Sequence, residues 1–166
     1  PENFQPIHPF DNGELIIRDE NLLPFPRTEE AVLGELASYY AMISEVDDNI
    51  GKILDALEKS GKYDNTIIIF ASDNGLAVGQ HGLIGKQNLY DHSIRVPLIF
   101  SGPGIKKGVL TESLVYLHDL FPTIADLVGI ETSKMIDAKS LKPILDNPNE
   151  TVRENVFYLY LSLIHI

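Results

Sequence analysis

The 166-residue sequence contains no cysteine, and this absence excludes several kinds of chemistry from the chain. Without thiols it can form no disulfide, no zinc-thiolate site and no cysteine nucleophile. Positive charge is also scarce, with 13 Lys and Arg against 24 Asp and Glu and a formal net charge of −11. That balance argues against nonspecific binding to nucleic acid or to an anionic membrane surface. It is compatible with an anionic small substrate, because one lysine and one metal ion can reverse the local field.

Long apolar runs and an initiating methionine are missing as well. No run approaches the roughly 18 consecutive apolar residues that a membrane span requires, so none is predicted. The first residues, Pro1 to Phe4, do not resemble a signal peptide. We therefore expect that the chain begins inside a longer protein. The residues that are present, 44% apolar and 22% charged, have the composition of one globular domain with a core.

Periodicity in the first 61 residues predicts an irregular segment followed by a long helix. Residues 1–27 contain five prolines and no sustained pattern, which is typical of an ordered surface segment. Thr28 is a suitable N-cap for a helix with acidic residues in its first turn, and Ser60-Gly61 would end that helix. Apolar residues then recur every three or four positions along one face. They are Leu33, Leu36, Tyr40, Ile43, Val46, Ile50, Ile53 and Leu57.

The remaining pattern predicts an α/β fold. The run from Ile67 to Ala71 does not alternate with polar residues, which favours a strand covered on both faces in a parallel sheet. A second apolar strand follows at 96–100, and shorter strands are predicted at 109–116 and 156–160. A helix is predicted to start near Asp119 and to end at Gly129, and one helical turn is predicted at 140–145.

Candidate chemistry lies between the two main strands, where ligands bind in open α/β sheets. Asp73 and Asn74 offer a carboxylate and an amide oxygen, the hard ligands that Ca²⁺ or Mg²⁺ prefers, although Asp-Asn-Gly is also a common turn. Lys86 follows in the same glycine-rich stretch and could bind an anion. The sequence after Lys86 lacks the hydroxyl residue of a nucleotide-binding P-loop. His81 could be a ligand, a proton donor or a packed structural residue.

Several motifs in this order resemble the carboxyl-terminal part of a sulfatase catalytic domain, in the alkaline-phosphatase superfamily. They are Ser72-Asp73-Asn74-Gly75, Gly79-Gln80-His81-Gly82, Gly85-Lys86, Arg95-Val96-Pro97-Leu98-Ile99 and Ser101-Gly102-Pro103-Gly104. Flanking segments around Tyr39 to Ile43 and Asp119 to Ile124 also resemble that family. The implied fold is an alkaline-phosphatase-like sandwich with a mostly parallel sheet flanked by helices, present here as a partial domain over 1–160.

The resemblance implies hydrolysis of the sulfate esters of carbohydrates or other small molecules, with one calcium ion. Asp73 and Asn74 match two calcium ligands of the family. Lys86 matches the lysine that holds the sulfate oxygens and counts as catalytic, and His81 is expected to shape or line the substrate pocket. Metal and ammonium would offset the charge of the sulfuryl group during transfer.

The sequence also departs from the family pattern. The family's nucleophile is a formylglycine made within a Cys/Ser-x-Pro-x-Arg motif, and this chain has no such motif. Calcium takes about 6–8 oxygen ligands, more than Asp73 and Asn74 supply. We therefore expect the formylglycine, the remaining ligands and the amino-terminal half of the domain in a longer parent protein, and we expect the isolated chain to be inactive.

Two other functions stay open from the sequence. A phosphomonoester or phosphonate hydrolase of the same superfamily would often carry histidine where Asn74 stands, and the domain could also be a non-catalytic relic. A periplasmic or extracellular location is a guess from the family alone. Residues 161–166 match one translated frame of a widely used sequencing adapter, so we expect them to be non-native.

Overall fold

The computed structural model describes residues 1–11, 13, 15–16, 18–132 and 136–159. These residues form two compact units, one made of 1–63 with 72–97 and the other of 64–71 with 98–159. Tyr160, at the end of one predicted strand, and the expected non-native tail at 161–166 lie outside the described residues. No helix in the described ranges is both long enough and apolar enough to cross a bilayer.

The first unit is built on one long helix, α1, at Glu29–Lys59. Its start confirms the predicted cap, because the Thr28 hydroxyl accepts a hydrogen bond from the Ala31 amide at 3.2 Å. A 3₁₀ turn at Arg18–Leu22 precedes α1, and a four-residue helix, α2, lies at Asp91–Ile94. The predicted irregular segment before α1 is therefore confirmed, apart from that turn.

The apolar stripe of α1 contributes little to the core of the unit. Val32, which lies beside the stripe, is the buried apolar residue of this helix. Five stripe residues are exposed in this chain. They are Leu33, Tyr40, Ile43, Val46 and Ile53. The buried apolar residues of the unit are Val32 together with Ala77, Val78, Leu83 and Ile84, and Val32 lies beside Gly79, which is in the same stretch as those four.

The second unit contains a two-stranded sheet and two helices. Strand β1 at Ile68–Ala71 pairs with β2 at Leu98–Ser101, with Ile68 opposite Ser101 and Ala71 opposite Leu98. A 3₁₀ turn at Tyr63–Asn65 reaches the start of this unit, and another at Leu117–Asp119 leads into α3. Helix α3 is Leu120–Val128, followed by Gly129 as predicted, and α4 is Lys142–Asp146, close to the predicted turn.

The strand pairing corrects one prediction. β1 and β2 are antiparallel, so the parallel arrangement expected around β1 is wrong for this pair. A parallel pair needs a crossover that usually contains a long helix, and the connection at 72–97 contains only the four-residue α2. β1 is also not covered on both faces, because Phe70 is 40% exposed.

Two further predicted strands are not formed among the described residues. Residues 109–116 and 156–159 have no strand assignment. A side-chain contact joins the two segments, since the Tyr116 hydroxyl donates to the Phe157 carbonyl at 3.0 Å. An apolar run alone indicates extended backbone, and a strand also requires a neighbouring edge with free hydrogen-bonding groups.

Candidate functional site

The predicted site residues all lie in one segment of the first unit, residues 72–86, which we call the glycine loop. The loop folds back on itself through two backbone hydrogen bonds of 2.8 Å each, from Ala77 to Gly85 and from Gly79 to Leu83. Ala77, Val78, Leu83 and Ile84 in the middle of the loop are buried, whereas Asp73 and Lys86 near its ends are exposed. Lys86 directly follows Gly85, so this fold-back fixes the point from which the lysine side chain departs.

Asp73 and Asn74 begin the loop immediately after β1. Asp73 is exposed, and its Oδ1 accepts the Asn74 amide proton at 2.9 Å, which makes a tight local turn. The Asn74 side-chain nitrogen donates to the Gly75 carbonyl at 3.0 Å, and the Ser72 hydroxyl donates to the Asn74 carbonyl at 2.8 Å. Asp73 Oδ2 and the Asn74 side-chain oxygen take part in none of these hydrogen bonds.

This donor set fits a hard cation in part. Asp73 and Asn74 supply two oxygen-bearing side chains, and oxygen is the ligand atom that Ca²⁺ selects. Across the described ranges, no group of three His, Cys, Asp or Glu side chains lies close enough together to hold a metal ion. A complete calcium shell would therefore need oxygen atoms from beyond these two side chains.

Lys86 is exposed at the end of the glycine loop. Its amide donates to the Gln87 side-chain oxygen at 3.3 Å. Its ammonium takes part in no ion pair with any carboxylate among the described residues. An ammonium that is not neutralised by a neighbouring carboxylate is suited to binding an anionic group.

His81 is held by three groups rather than projecting freely. Its backbone is left-handed, with φ of +54°, and its amide donates to the Asn3 carbonyl at 2.9 Å. The His81 carbonyl accepts a hydrogen bond from His8 Nδ1 at 2.7 Å. The His81 ring stacks on Tyr90 with centroids 4.1 Å apart and planes 13° apart. These contacts fix the position of His81, and its expected role in shaping or lining the substrate pocket stays a prediction.

A surface cleft of about 520 Å³ lies beside the His81 ring. Its lining includes Asn3, His81, Tyr90 and His92, and it does not include Asp73, Asn74 or Lys86. Burial lowers the pKa of His92, and nearby His81 acts in the same direction, while Asp91 opposes them. His92 is therefore held towards its neutral form at the edge of this cleft.

Two functional candidates, Glu20 and Arg27, escaped prediction from the sequence. Their side chains are 6% and 0% exposed, and Arg27 Nη2 lies 2.7 Å from Glu20 Oε2. The Glu20 carboxylate also accepts the Ile84 amide at 3.1 and 3.2 Å, two residues before Lys86. Arg27 Nε donates to the Gly82 carbonyl at 3.4 Å. The sequence shows only a carboxylate and a guanidinium seven positions apart in a proline-rich segment. That spacing does not indicate that both side chains bind the glycine loop.

The segment that carries this pair closely approaches the glycine loop. We call residues 3–27 the strap. A Cβ atom at Gly82 would lie 2.6 Å from the His8 nitrogen, and one at Gly85 would lie 2.9 Å from Glu20 Oε1. Gly82 also has φ of +76°, a left-handed conformation that favours glycine. At Gly82 the near atoms belong to the strap backbone, so this contact requires a residue without a side chain; at Gly85 the near atom is the end of the Glu20 side chain.

Both a family model and similar curated proteins relate this chain to sulfatases. A family model described as Sulfatase matches residues 8–130. An N-acetylglucosamine-6-O-sulfatase of Bacteroides thetaiotaomicron is 39% identical over 129 residues, which cover 75% of this chain and 23% of that protein. The chain thus spans about a quarter of the length of the curated relatives it matches.

Solved structures give the same picture. One, a complex with its substrate D-glucosamine-2-N,6-O-disulfate, is 39% identical with a TM-score of 0.71, over 75% of this chain and 26% of that one. A phosphonate monoester hydrolase from Silicibacter pomeroyi is 36% identical with a TM-score of 0.70, over 74% of this chain and 24% of that one.

Proposed function

This chain belongs to the sulfatase family, and from that premise we propose that it forms the lysine-bearing part of a sulfuric ester hydrolase. The observation that carries the proposal is the glycine loop. It presents the carboxylate of Asp73 and the amide of Asn74 at one end and the ammonium of Lys86, free of any ion pair with the described carboxylates, at the other. These groups are a cation-binding pair and an anion-binding group.

The chemistry of a sulfate ester requires such groups. As the ester bond breaks, negative charge develops on the leaving oxygen and on the sulfuryl oxygens. Lys86 would hold sulfate oxygens by donating hydrogen bonds, and its positive charge would lower the energy of that charge distribution. Asp73 and Asn74 would hold part of a calcium ion, which when bound would supply further positive charge.

The substrate is proposed to be a sulfated carbohydrate. Two similar proteins support this: the relative from B. thetaiotaomicron is named as an N-acetylglucosamine-6-O-sulfatase, and the solved complex contains a sulfated glucosamine. The rest of the active site, including a formylglycine nucleophile and further calcium ligands, is proposed to come from other parts of a full-length protein. His81 is proposed to line the substrate pocket from its position beside the cleft.

One other function has a specific observation behind it. The structural similarity to a phosphonate monoester hydrolase, at 36% identity, makes phosphonate or phosphate esters the alternative substrates. Asn74 favours sulfate hydrolysis here, because an amide oxygen suits a single hard Ca²⁺ better than a transition metal.

Replacement of Lys86 tests the proposal. In the full-length protein, Lys86→Ala should lower kcat/KM for 6-O-sulfated N-acetylglucosamine by about 10²–10³-fold, the effect of losing one charge-stabilising donor. Lys107→Ala, at another exposed lysine in the second unit, is the matched control and should change it by less than about twofold. Full activity of the Lys86 variant would refute the role of this residue. Faster turnover of phenyl phosphonate esters than of sulfate esters would favour the alternative.

A further inference from the structure

The buried pair of Glu20 and Arg27 is aimed at the backbone of the glycine loop. The Glu20 carboxylate accepts from the Ile84 amide with both oxygens, and Arg27 donates to the Gly82 carbonyl. Arg27 Nη2 donates in addition to the Glu20 carbonyl at 2.9 Å. Three of these contacts join the strap to the loop, and the fourth, from Arg27 to the Glu20 carbonyl, lies within the strap.

Stability alone does not account for two charges at this place. A buried ion pair is often no more stabilising than well-packed apolar residues of the same size, because both charges must leave water. Arg27 Nη1 is buried and has no hydrogen-bond partner among the described residues, which adds to that cost. What the pair does provide is a donor and an acceptor for backbone groups in a loop that lacks a regular ladder to satisfy them.

We propose that Glu20 and Arg27 are positioning residues, which fix the backbone at 82–84 and through it the location of Lys86. This inference rests on the proposed function, since Lys86 is the residue that is positioned. Ile84 lies two residues before Lys86, and a Cβ atom at Gly85, the residue between them, would lie 2.9 Å from Glu20 Oε1, so the carboxylate also runs beside that backbone. A displacement of about 1 Å in a group that binds the reacting part of a substrate can cost about 10²-fold in rate.

The strap reaches the same loop at a second point. His8 Nδ1 donates to the His81 carbonyl at 2.7 Å, and the His81 amide donates to the Asn3 carbonyl at 2.9 Å. These contacts hold the backbone at His81, whereas Arg27 holds the Gly82 carbonyl and Glu20 holds the Ile84 amide. Of these contacts between strap and loop, the one from Glu20 to Ile84 is therefore the closest to Lys86 along the chain.

A double-mutant cycle in the full-length protein tests the proposal. Glu20→Gln keeps an oxygen for the Ile84 amide but removes the charge that holds Arg27. We expect kcat for a sulfate ester to fall roughly 10- to 100-fold, with KM changed less than about threefold. The reason is that a displaced Lys86 ammonium would stabilise the transition state less, while binding of the ground-state substrate would change little. In a Lys86→Ala background the same substitution should change kcat by less than about twofold, because no ammonium is left to misplace.

A matched control separates positioning from loss of stability. Asp119→Asn breaks a second buried ion pair, Asp119 with Arg153, whose partners all lie in the second unit. At a temperature where the variants are folded, it should leave kcat within about twofold of the wild type. If Glu20→Gln does not fold, Arg27→Lys is the second variant. It keeps a charge beside Glu20 but cannot bind both the carboxylate and the Gly82 carbonyl in the same fork geometry, so the same pattern is expected.

The outcomes separate the two proposals. Equal losses from Glu20→Gln with and without Lys86, or no loss in either background, overturn the positioning role while leaving an inactive Lys86→Ala variant as support for the proposed function. Full activity of Lys86→Ala overturns the proposed function, and with it the role of the pair in catalysis.

Discussion

Each unit of the chain buries one carboxylate against one arginine, and the two pairs differ in what else the carboxylate binds. In the second unit, Asp119 is fully buried and accepts hydrogen bonds from two nitrogens of Arg153 and from the Tyr116 and Lys139 amides. In the first unit, Glu20 accepts from one arginine nitrogen and from the Ile84 amide. The Asp119 carboxylate thus accepts more hydrogen bonds from the protein than the Glu20 carboxylate does.

The pKa values follow this difference. Burial by itself raises the pKa of Asp119, but the hydrogen bonds from Arg153, Lys139 and Tyr116 outweigh it, so the pKa lies below its ordinary value. For Glu20, burial dominates and raises the pKa, although the Ile84 amide and Arg27 act in the opposite direction. A pair that is well solvated serves the stability of its own unit. A pair that is incompletely solvated needs another reason to be kept, and the glycine loop provides one.

The largest effect is expected from Arg153→Met, which removes most of the solvation of a carboxylate that has no access to water. We expect a loss of about 3–5 kcal/mol in the free energy of unfolding, since the remaining charge is buried without a counter-ion. Urea denaturation of the full-length protein, followed by a probe in the second unit, measures it. Asp119→Asn combined with Arg153→Met should recover part of the loss, and a loss below 1 kcal/mol in the single variant would contradict the interpretation.

Arg27→Met should cost less, about 1–3 kcal/mol near neutral pH, because Glu20 can neutralise itself by binding a proton. The sign of the pH dependence follows from the raised pKa. The pKa of Glu20 is raised even with Arg27 present, and removing Arg27 takes away an influence that lowers it. The folded variant therefore binds this proton more tightly than the unfolded chain, so the contribution of Glu20 to stability is fully present below the ordinary value of 4.5 and is lost as pH rises through the folded pKa. Urea midpoints at pH 5 and pH 8 measure this. A larger destabilisation at pH 5 than at pH 8 would be inconsistent with it.

In the wild type, lowering the pH should act on the two pairs differently, with a smaller effect than the substitutions above. The lowered pKa of Asp119 means that its contribution is present above the ordinary value of 3.8 and is lost as pH falls through the folded pKa. The raised pKa of Glu20 means that its contribution to stability instead increases as pH falls. Hydrogen exchange, corrected for intrinsic rates, should therefore show the amides of Tyr116 and Lys139 losing protection below about pH 3.8 before the amide of Ile84 does. Earlier loss of protection at Ile84 would contradict the stated difference between the Asp119 and Glu20 pairs.

An exposed pair supplies the baseline for both buried ones. Lys142 and Asp146 are 42% and 59% exposed and lie one helical turn apart in α4. Asp146→Asn should change the free energy of unfolding by less than about 0.5 kcal/mol, because water replaces most of what the pair provides. The same denaturation assay measures it, and a loss as large as that of Arg27→Met would show that charge alone, and not burial, sets the effect.

The sequence was sufficient where structure depends on neighbours along the chain. The cap at Thr28 and the stop at Ser60-Gly61 predicted α1 to within one residue, and Gly129 predicted the end of α3. Asp73, Asn74, His81 and Lys86 were found because they follow a recognisable strand in a recognisable order, and they lie in one loop. The roles assigned to those four residues stay predictions until the variants are measured.

Contacts between distant residues could not be predicted in the same way. Glu20 and Ile84 are 64 positions apart, and no periodicity in a proline-rich segment identifies such a partner. The antiparallel pairing of β1 with β2 was missed because an apolar run fixes the strand but not its direction relative to a neighbour. The exposed stripe on α1 was predicted as a pattern, while its exposure depends on what this chain packs against it.

The close approach of the strap at Gly82 has a consequence for reading sequence variation. A mutational scan of the full-length protein should find position 82 almost as intolerant as a residue that touches substrate, because a single methyl group there would overlap the His8 amide nitrogen. Nothing at that position performs chemistry. Intolerance at Gly82 would record the path of a neighbouring backbone, and alanine at Gly34, where a Cβ meets nothing within 4 Å, is the change that shows how permissive an unconstrained glycine in the same unit is.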